Sequence, residues 1–399
     1  MSYIKSGTHD FWKASLALFA AGFVTFSNLY TTQPLLPKLA EAYNISPTEA
    51  SLTVSVSTAA LAIMMIITAA ISDSLGRKRI MTLSMFAGSI VALLSAFSTS
   101  FLTLIILRTL LGAVFAGVPA IAMAYIGEEF DKRSLGQAMG LYISGNSIGG
   151  LFGRLATGAL TDLFNWHIAL ISIGVLSLLF SVYFYYALPR PTHFEPKRTS
   201  LKTSSLKLAG HLKHPGLVCL FGIGFLIMGC FVTMFNYISF QLAEPPFSVS
   251  QTVIGFIFLV YLTGTFSSTW MGKMADRIGR APVIKRSLLL MFIGGIITLI
   301  PSLIIKIIGL AIFTFGFFGA HATASGWVGN RAKDNKAQAS SLYLLFYYTG
   351  SSIVGALGGF FWTGGGWIGV ITLIVVLTAV GFILTIISNQ YQRKEANSL

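Results

Sequence analysis

Acidic residues are scarce in this chain: 13 Asp and Glu among 399 residues, with only 10% of positions charged. A soluble domain ordinarily carries about a quarter charged residues, so there is too little polar surface here to cover a globule in water. That excludes a cytosolic enzyme, a disordered chain and a secreted scaffold. Cysteine is nearly absent too. Cys219 and Cys230 fall on one expected helix, roughly 16 Å apart along its axis, too far to bridge, and they read as apolar filler. Also missing are a nucleotide-binding loop, an H-E-x-x-H metal cluster and a nucleophile elbow, so neither an enzyme nor a bound cofactor or metal is expected. What is present is 40 Gly, 32 Phe and a mean hydropathy of +0.77, the composition of a helical membrane protein in which small residues let helices approach closely.

A spanning helix needs about 20 predominantly apolar residues. Runs of that kind, broken by charge, proline or polar clusters, cover 13–34, 50–72, 80–97, 101–126, 135–160 and 166–188, then 216–240, 252–271, 283–301, 307–328, 339–362 and 367–388. The expectation is about twelve transmembrane helices. No small-residue cleavage site follows the first run, which reads as a retained span. With an even number of spans both termini share one side, and all but four of the 27 Lys and Arg fall on it. By the positive-inside rule that side is cytoplasmic. Lys38 and Lys306 lie opposite, and Arg108 and Arg154 lie within the membrane. The formal charge of +14 is thereby an orientation signal, and nucleic acid is not expected as a partner. The partners expected are a lipid bilayer, the cell's inner (cytoplasmic) membrane, and a small-molecule substrate, handled by a monomer.

The longest polar stretch divides the chain into an N-terminal six-helix bundle (1–188), a cytoplasmic basic linker (189–215) and a C-terminal six-helix bundle (216–399). The halves repeat each other. Asp73, Gly76 and Arg77 follow the second run, and Asp276, Gly279 and Arg280 follow the eighth, about 203 residues later. Gly145-Asn146-Ser147-Ile148 with Gly150 and Gly153 has its counterpart in Gly350-Ser351-Ser352-Ile353 with Gly355 and Gly358. Such repeats mark transporters that rock about a central site.

The segment Gly272-Lys-Met-Ala-Asp276-Arg277-Ile-Gly279-Arg280 resembles the G-x-x-x-D-R-x-G-R loop of the major facilitator superfamily, and 73–79 is a partial copy. An aspartate at a helix end accepts bonds from arginines and unpaired amides, so the two loops (Asp73, Gly76, Arg77; Gly272, Asp276, Arg277, Gly279, Arg280) are read as a latch on the orientation of the halves. Arg108 with Gly112 and Gly117 resembles the fourth-helix arginine motif of that superfamily. Gly145, Gly149 and Gly150 resemble its fifth-helix antiporter motif, with Leu141 and Asn146 where that motif has glycine and proline. The stretches 29–37, 235–240 and 319–329 are similar to a twelve-helix bacterial branch of drug and sugar efflux permeases. The resemblance implies an all-α polytopic fold of two pseudo-symmetric six-helix bundles and a drug:proton-antiporter-like architecture.

None of the thirteen acids falls in the middle of an expected span, although proton-coupled carriers often titrate a buried carboxylate there. Where efflux relatives carry a first-helix acid, this chain has Asn28 and Gln33. Arg108 and Arg154 each cost about 2.5–3.5 kcal/mol at a helix centre unless they face protein or water. Both are expected roughly 10–12 Å below the outer surface, where they could share one outward-reaching cavity. Arg108 is read either as a structural arginine on backbone or as part of the transport cycle, and Arg154 as a helix strut or a ligand contact. His321, near the middle of the tenth run, has an ordinary pKa near neutrality and ranks first as a proton carrier, with a packing role as the alternative and Arg108 as the second coupling candidate. On helices that line the central cavity in the superfamily, Tyr30, Gln33, Asn146, Asn236, Tyr237, Tyr343 and Tyr347 complete the substrate-binding candidates. Tyr343 and Tyr347, four apart, share a face. Met228 and Met234 suit either a bulky amphiphile or core packing. The segment 200–212 reads as an amphipathic surface helix or a solvated basic tether. Proton-coupled efflux of a drug-like, sugar-like or metabolite substrate is the leading expectation. Uptake or exchange of an organic anion on Arg108 and Arg154 is the alternative, and a transport-silent sensor is the remotest.

Overall fold

The computed structural model describes residues 3–194, 210–332 and 336–397. Most of the segment 200–212 therefore lies outside the described residues. Among them the chain is helical, with one isolated β-bridge between Ile4 and Phe130. Each apolar run expected from the sequence falls on helix. Among the described residues, eight helical stretches are long and apolar enough to cross a bilayer: 47–75, 77–95, 101–129, 166–187, 215–243, 251–278, 303–331 and 338–393. The chain is thus a multi-pass membrane protein.

Two compact units emerge. The first contains residues 1–44, 56–201 and 250–256, and the second 45–55, 202–249 and 257–399. The first unit holds α1 (His9–Tyr30), α2 (Leu36–Tyr43), most of α3 (Pro47–Leu75), α4 (Arg77–Ser95), α5 (Phe101–Phe115), α6 (Pro119–Glu129), α7 (Leu135–Leu163) and α8 (Trp166–Ala187). Thr8 starts α1 by accepting the amide of Phe11, at 3.2 Å. The run 101–126, expected as one helix, is broken at Ala116–Val118. Pro119 has no N–H to continue the ladder, so it opens α6 at its first turn, while Thr68 donates to the carbonyl of Ala116 at 3.1 Å. In the core, Phe11 and Leu18 of α1 meet Met81 and Met85 of α4, Phe115 of α5 and Tyr125 of α6.

The seam that organises this unit is α1 against α7. Gly145, Gly149 and Gly153 lie directly on the backbone of Phe19, Phe23 and Ser27, so the two helices touch main chain to main chain. A Cβ at any of the three glycines would clash with the facing backbone.

The second unit contains α9 (Pro215–Ala243), whereas α10 (Gln251–Ile257) belongs to the first unit except for its last residue; the second continues with a 3₁₀ turn at Phe258–Val260, α11 (Tyr261–Ile278), α12 (Arg280–Ile297), α13 (Leu303–Arg331) and α14 (Lys336–Asn397). The last two expected runs form one 62-residue helical stretch, interrupted only by the non-helical backbone of Gly366 at φ 55°, ψ −142°. A left-handed residue that glycine alone adopts cheaply replaces the expected loop. The glycine seam recurs here: Gly350 of α14 lies on the backbone of Phe225, while Gly358 packs against the Tyr237 ring and the Thr233 methyl. Gly145 on Phe19 and Gly350 on Phe225 are the same contact about 205 residues apart, so the sequence repeat is a structural repeat. Gly76 and Gly279 likewise share a conformation, φ 98° and φ 88°, between paired helices. Cys219, Cys230, Met228 and Met234 are all buried within α9.

Candidate functional site

In the first unit, both intramembrane arginines converge on the end of α1. The last carbonyls of a helix have no intrahelical donor and carry its negative dipole end. Arg108, from α5, donates to the carbonyls of Asn28 (2.9 Å) and Leu29 (2.6 Å), while the amide of Gln33 takes that of Tyr30 at 3.0 Å. Arg108 is 1% exposed and thus caps α1 from the side. Ser57 returns a bond to the Arg108 carbonyl at 2.9 Å. Arg154, from α7, donates through Nε to Gln33 Oε1 at 2.8 Å and through Nη1 to the Gly150 carbonyl at 2.7 Å, and its guanidinium carbon lies 4.3 Å from the centre of the Tyr30 ring. Tyr30, Gln33 and Arg154 therefore form one buried group. Asn28 donates its amide to the Val24 carbonyl and to Ser177 Oγ, so it is a helix-to-helix strut. Asn146 fills the notch over Gly22 inside the α1–α7 seam.

The second unit gathers another group. His321 Nδ1 lies 3.0 Å from Tyr343 Oη, its ring stacks parallel to Phe317 at 6.1 Å, and Tyr347 tilts against it at 4.5 Å. Tyr343 and Tyr347 face His321 together, as their spacing indicates. Tyr237 is placed elsewhere: its hydroxyl donates to the Gly355 carbonyl at 3.1 Å and ties α9 to α14, beside Thr233 donating to Val354. Asn236 is fully buried on the same helix.

The loop motif is occupied differently in its two copies. Arg77 pairs with Asp73 at 2.5 Å and grips Glu128 with Nε (3.1 Å) and Nη2 (2.7 Å), all inside the first unit. Asp276 makes no ion pair among the described residues. With its carboxamide oxygen turned toward Arg280, Asn330 accepts from that guanidinium at 2.8 Å.

Three charged side chains escape the sequence analysis, two of them buried (Lys306 and Glu129) and one exposed (Asp162). Lys306, counted there only as an outer-side charge, is 2% exposed, donates to the Thr298 carbonyl, and sits between the rings of Phe247 and Trp367. Glu129 accepts from the amides of Thr192 (2.9 Å) and His193 (2.8 Å), fastening the chain after α8. Asp162, past the last apolar run of α7, accepts from the amides of Gln251 (3.1 Å) and Thr252 (2.6 Å) and caps α10. Burial works to raise its pKa, but these bonds outweigh it and hold the carboxyl below the usual range. No local motif flags any of the three: the partners of Glu129 and Asp162 lie far away in sequence, and Lys306 reaches Thr298 across the turn between α12 and α13.

Repeated helical units with small-residue seams and buried polar groups on broken helices define a membrane transporter. The chain belongs to the Major Facilitator Superfamily, whose family model matches residues 18–320 and 241–398. It is 48% identical to the uncharacterized MFS-type transporter YybF of Bacillus subtilis, across 96% of this chain and 95% of the relative. It is 46% identical to the inner membrane transport protein YnfM of Escherichia coli, across 96% and 92%. In fold it is similar to the nucleoside transporter NupG (TM-score 0.77, 14% identity, 95% of this chain and 99% of that one). A bacterial homolog of the lysosomal transporter Spinster gives a TM-score of 0.76 at 14% identity, over 95% and 96%.

Proposed function

We propose that this major facilitator transporter exports a small organic molecule across the cytoplasmic membrane against proton entry, by alternating access, with twelve spans and both termini in the cytoplasm. It works as a monomer, without cofactor or catalytic step. The observation that carries the coupling is His321 on Tyr343 and Tyr347 midway along α13, in a chain whose described acids lie at helix ends or in loops. An imidazole can take up a proton on one side and release it on the other, and the phenol at 3.0 Å gives that proton a neighbour to be passed to or held by. A thermal-shift screen of dyes, sugars, amino acids and organic acids identifies the ligand first, since binding only the folded state raises apparent stability. Transport of that ligand in liposomes then follows an imposed pH gradient in the wild type and loses the dependence in His321→Gln. Gradient-independent transport by the wild type would sink the proposal.

A second reading rests on Arg154. A guanidinium held against Tyr30 and Gln33 suits an organic anion, moved by uptake or exchange. It requires Arg154→Gln to weaken anionic ligands more than cationic ones; equal loss eliminates it.

A further inference from the structure

A cavity of about 640 Å³ opens within the second unit, and none of the candidate substrate or coupling residues lines it. Its walls come from α11 (Thr263, Trp270, Met274), α12 (Arg286, Leu289) and α13 (Phe315). On α11 it runs from Thr263 to Met274, about 16 Å along the axis, which is half of a ~30 Å hydrocarbon layer. The deep end is apolar: the only hydroxyl there, on Thr263, is bonded to the carbonyls of Val260 (2.7 Å) and Ala311 (3.3 Å). Trp270 and Phe315, with ring centres 5.8 Å apart, form one wall, and Trp270 is 47% exposed.

The other end is cationic. Arg286 lines the cavity, and among the described residues its guanidinium has one hydrogen-bond partner, the thioether of Met274 at 3.5 Å. Lys273 and Arg277, exposed, share the helix face of Trp270 and Met274 by their three- and four-residue spacing. These cations belong to the side on which the chain concentrates its positive charge. An apolar slot one leaflet deep with a basic mouth matches one molecule: an acyl chain joined to an anionic headgroup.

We propose that this cavity binds an anionic phospholipid of the cytoplasmic leaflet, one acyl chain along Trp270 and Phe315 and the phosphate on Arg286. The site is independent of the transported substrate. Trp270 provides the readout, because a brominated acyl chain quenches an indole it touches. The full-length protein is placed in phosphatidylcholine vesicles containing brominated phosphatidylglycerol, or brominated phosphatidylcholine at equal mole fraction, and the Trp270 signal is obtained by subtracting Trp270→Phe. Phosphatidylglycerol quenches Trp270 with about fivefold preference. Arg286→Gln abolishes the preference and Arg286→Lys restores most of it. Equal quenching by the two lipids, showing an ordinary annular face, overturns the proposal. So does a preference that survives Arg286→Gln, or a Trp270 shielded from both lipids by a second copy of the chain.

Discussion

Two glycines on the same helix are expected to respond to the same substitution with opposite sign. At Gly149 an alanine Cβ would meet the carbonyl oxygen, Cα and carbonyl carbon of Phe23. All three lie well inside the ~3.5–4.0 Å optimum for such contacts, so α1 and α7 must separate by about 1 Å. A gap of that size forfeits a quarter to a half of each facing dispersion contact, and overpacking of this kind costs roughly 1–3 kcal/mol. Replacing a helical glycine returns about 0.5–1 kcal/mol of backbone entropy, leaving Gly149→Ala destabilised by about 1–2 kcal/mol. At Gly140, nine residues earlier, a Cβ meets nothing within 4 Å. Gly140→Ala therefore keeps the entropic gain alone, about 0.5–1 kcal/mol. Thermal unfolding of the detergent-purified proteins should rank Gly140→Ala at or above wild type and Gly149→Ala below it. If both variants shift the same way, direct backbone contact is not what sets the α1–α7 spacing.

Arg108→Gln removes two charge-assisted bonds, each about 1.5–3 kcal/mol, and leaves two buried carbonyls unmet; its melting temperature should fall sharply and Arg108→Lys should recover only part, whereas full recovery by lysine would show that charge alone matters. Asp162→Asn should lower stability at neutral pH. Because the folded carboxyl titrates below its unfolded counterpart, the wild-type advantage is present above about pH 4 and vanishes as the pH drops further, which paired melting curves across pH will read. Arg77→Ala strands Asp73 and Glu128 beside each other at a partly exposed helix end and should cost about 1–3 kcal/mol in thermal unfolding, while the double variant with Glu128→Gln regains some of it.

Much of this architecture is legible in the sequence because a bilayer permits few ways to satisfy a backbone. Apolar runs of the right length had to be helices, and repeated glycines had to lie where helices meet. The breaks were harder. Pro119 is visible, but an apolar run continues through it, and Gly366 sits in a stretch already rich in glycine. Arg154, Gln33 and Tyr30, like His321, Tyr343 and Tyr347, were legible singly from residue type and helix, and only Tyr343 with Tyr347 as a pair; the two groups they form appear in the structure alone. Asn146 and Tyr237 have the same chemistry yet turn into helix seams, a difference set by azimuth about the helix that hydropathy does not encode. Lys306, Glu129 and Asp162 were unreadable for a related reason: a charge at a helix end looks alike whether it meets water or a protein partner, a carbonyl for the lysine and backbone amides for the two acids.

The glycine seam also has a mechanical meaning. Side chains between two helices act as a compliant layer, able to change rotamer as the helices slide; bare backbone on bare backbone has no such give. The helices α1 and α7 are therefore one stiff beam. Tyr30 and Gln33 follow one limb of it and Arg154 rides on the other. Whatever moves during a transport cycle, these three groups travel as a single casting with a fixed mutual geometry.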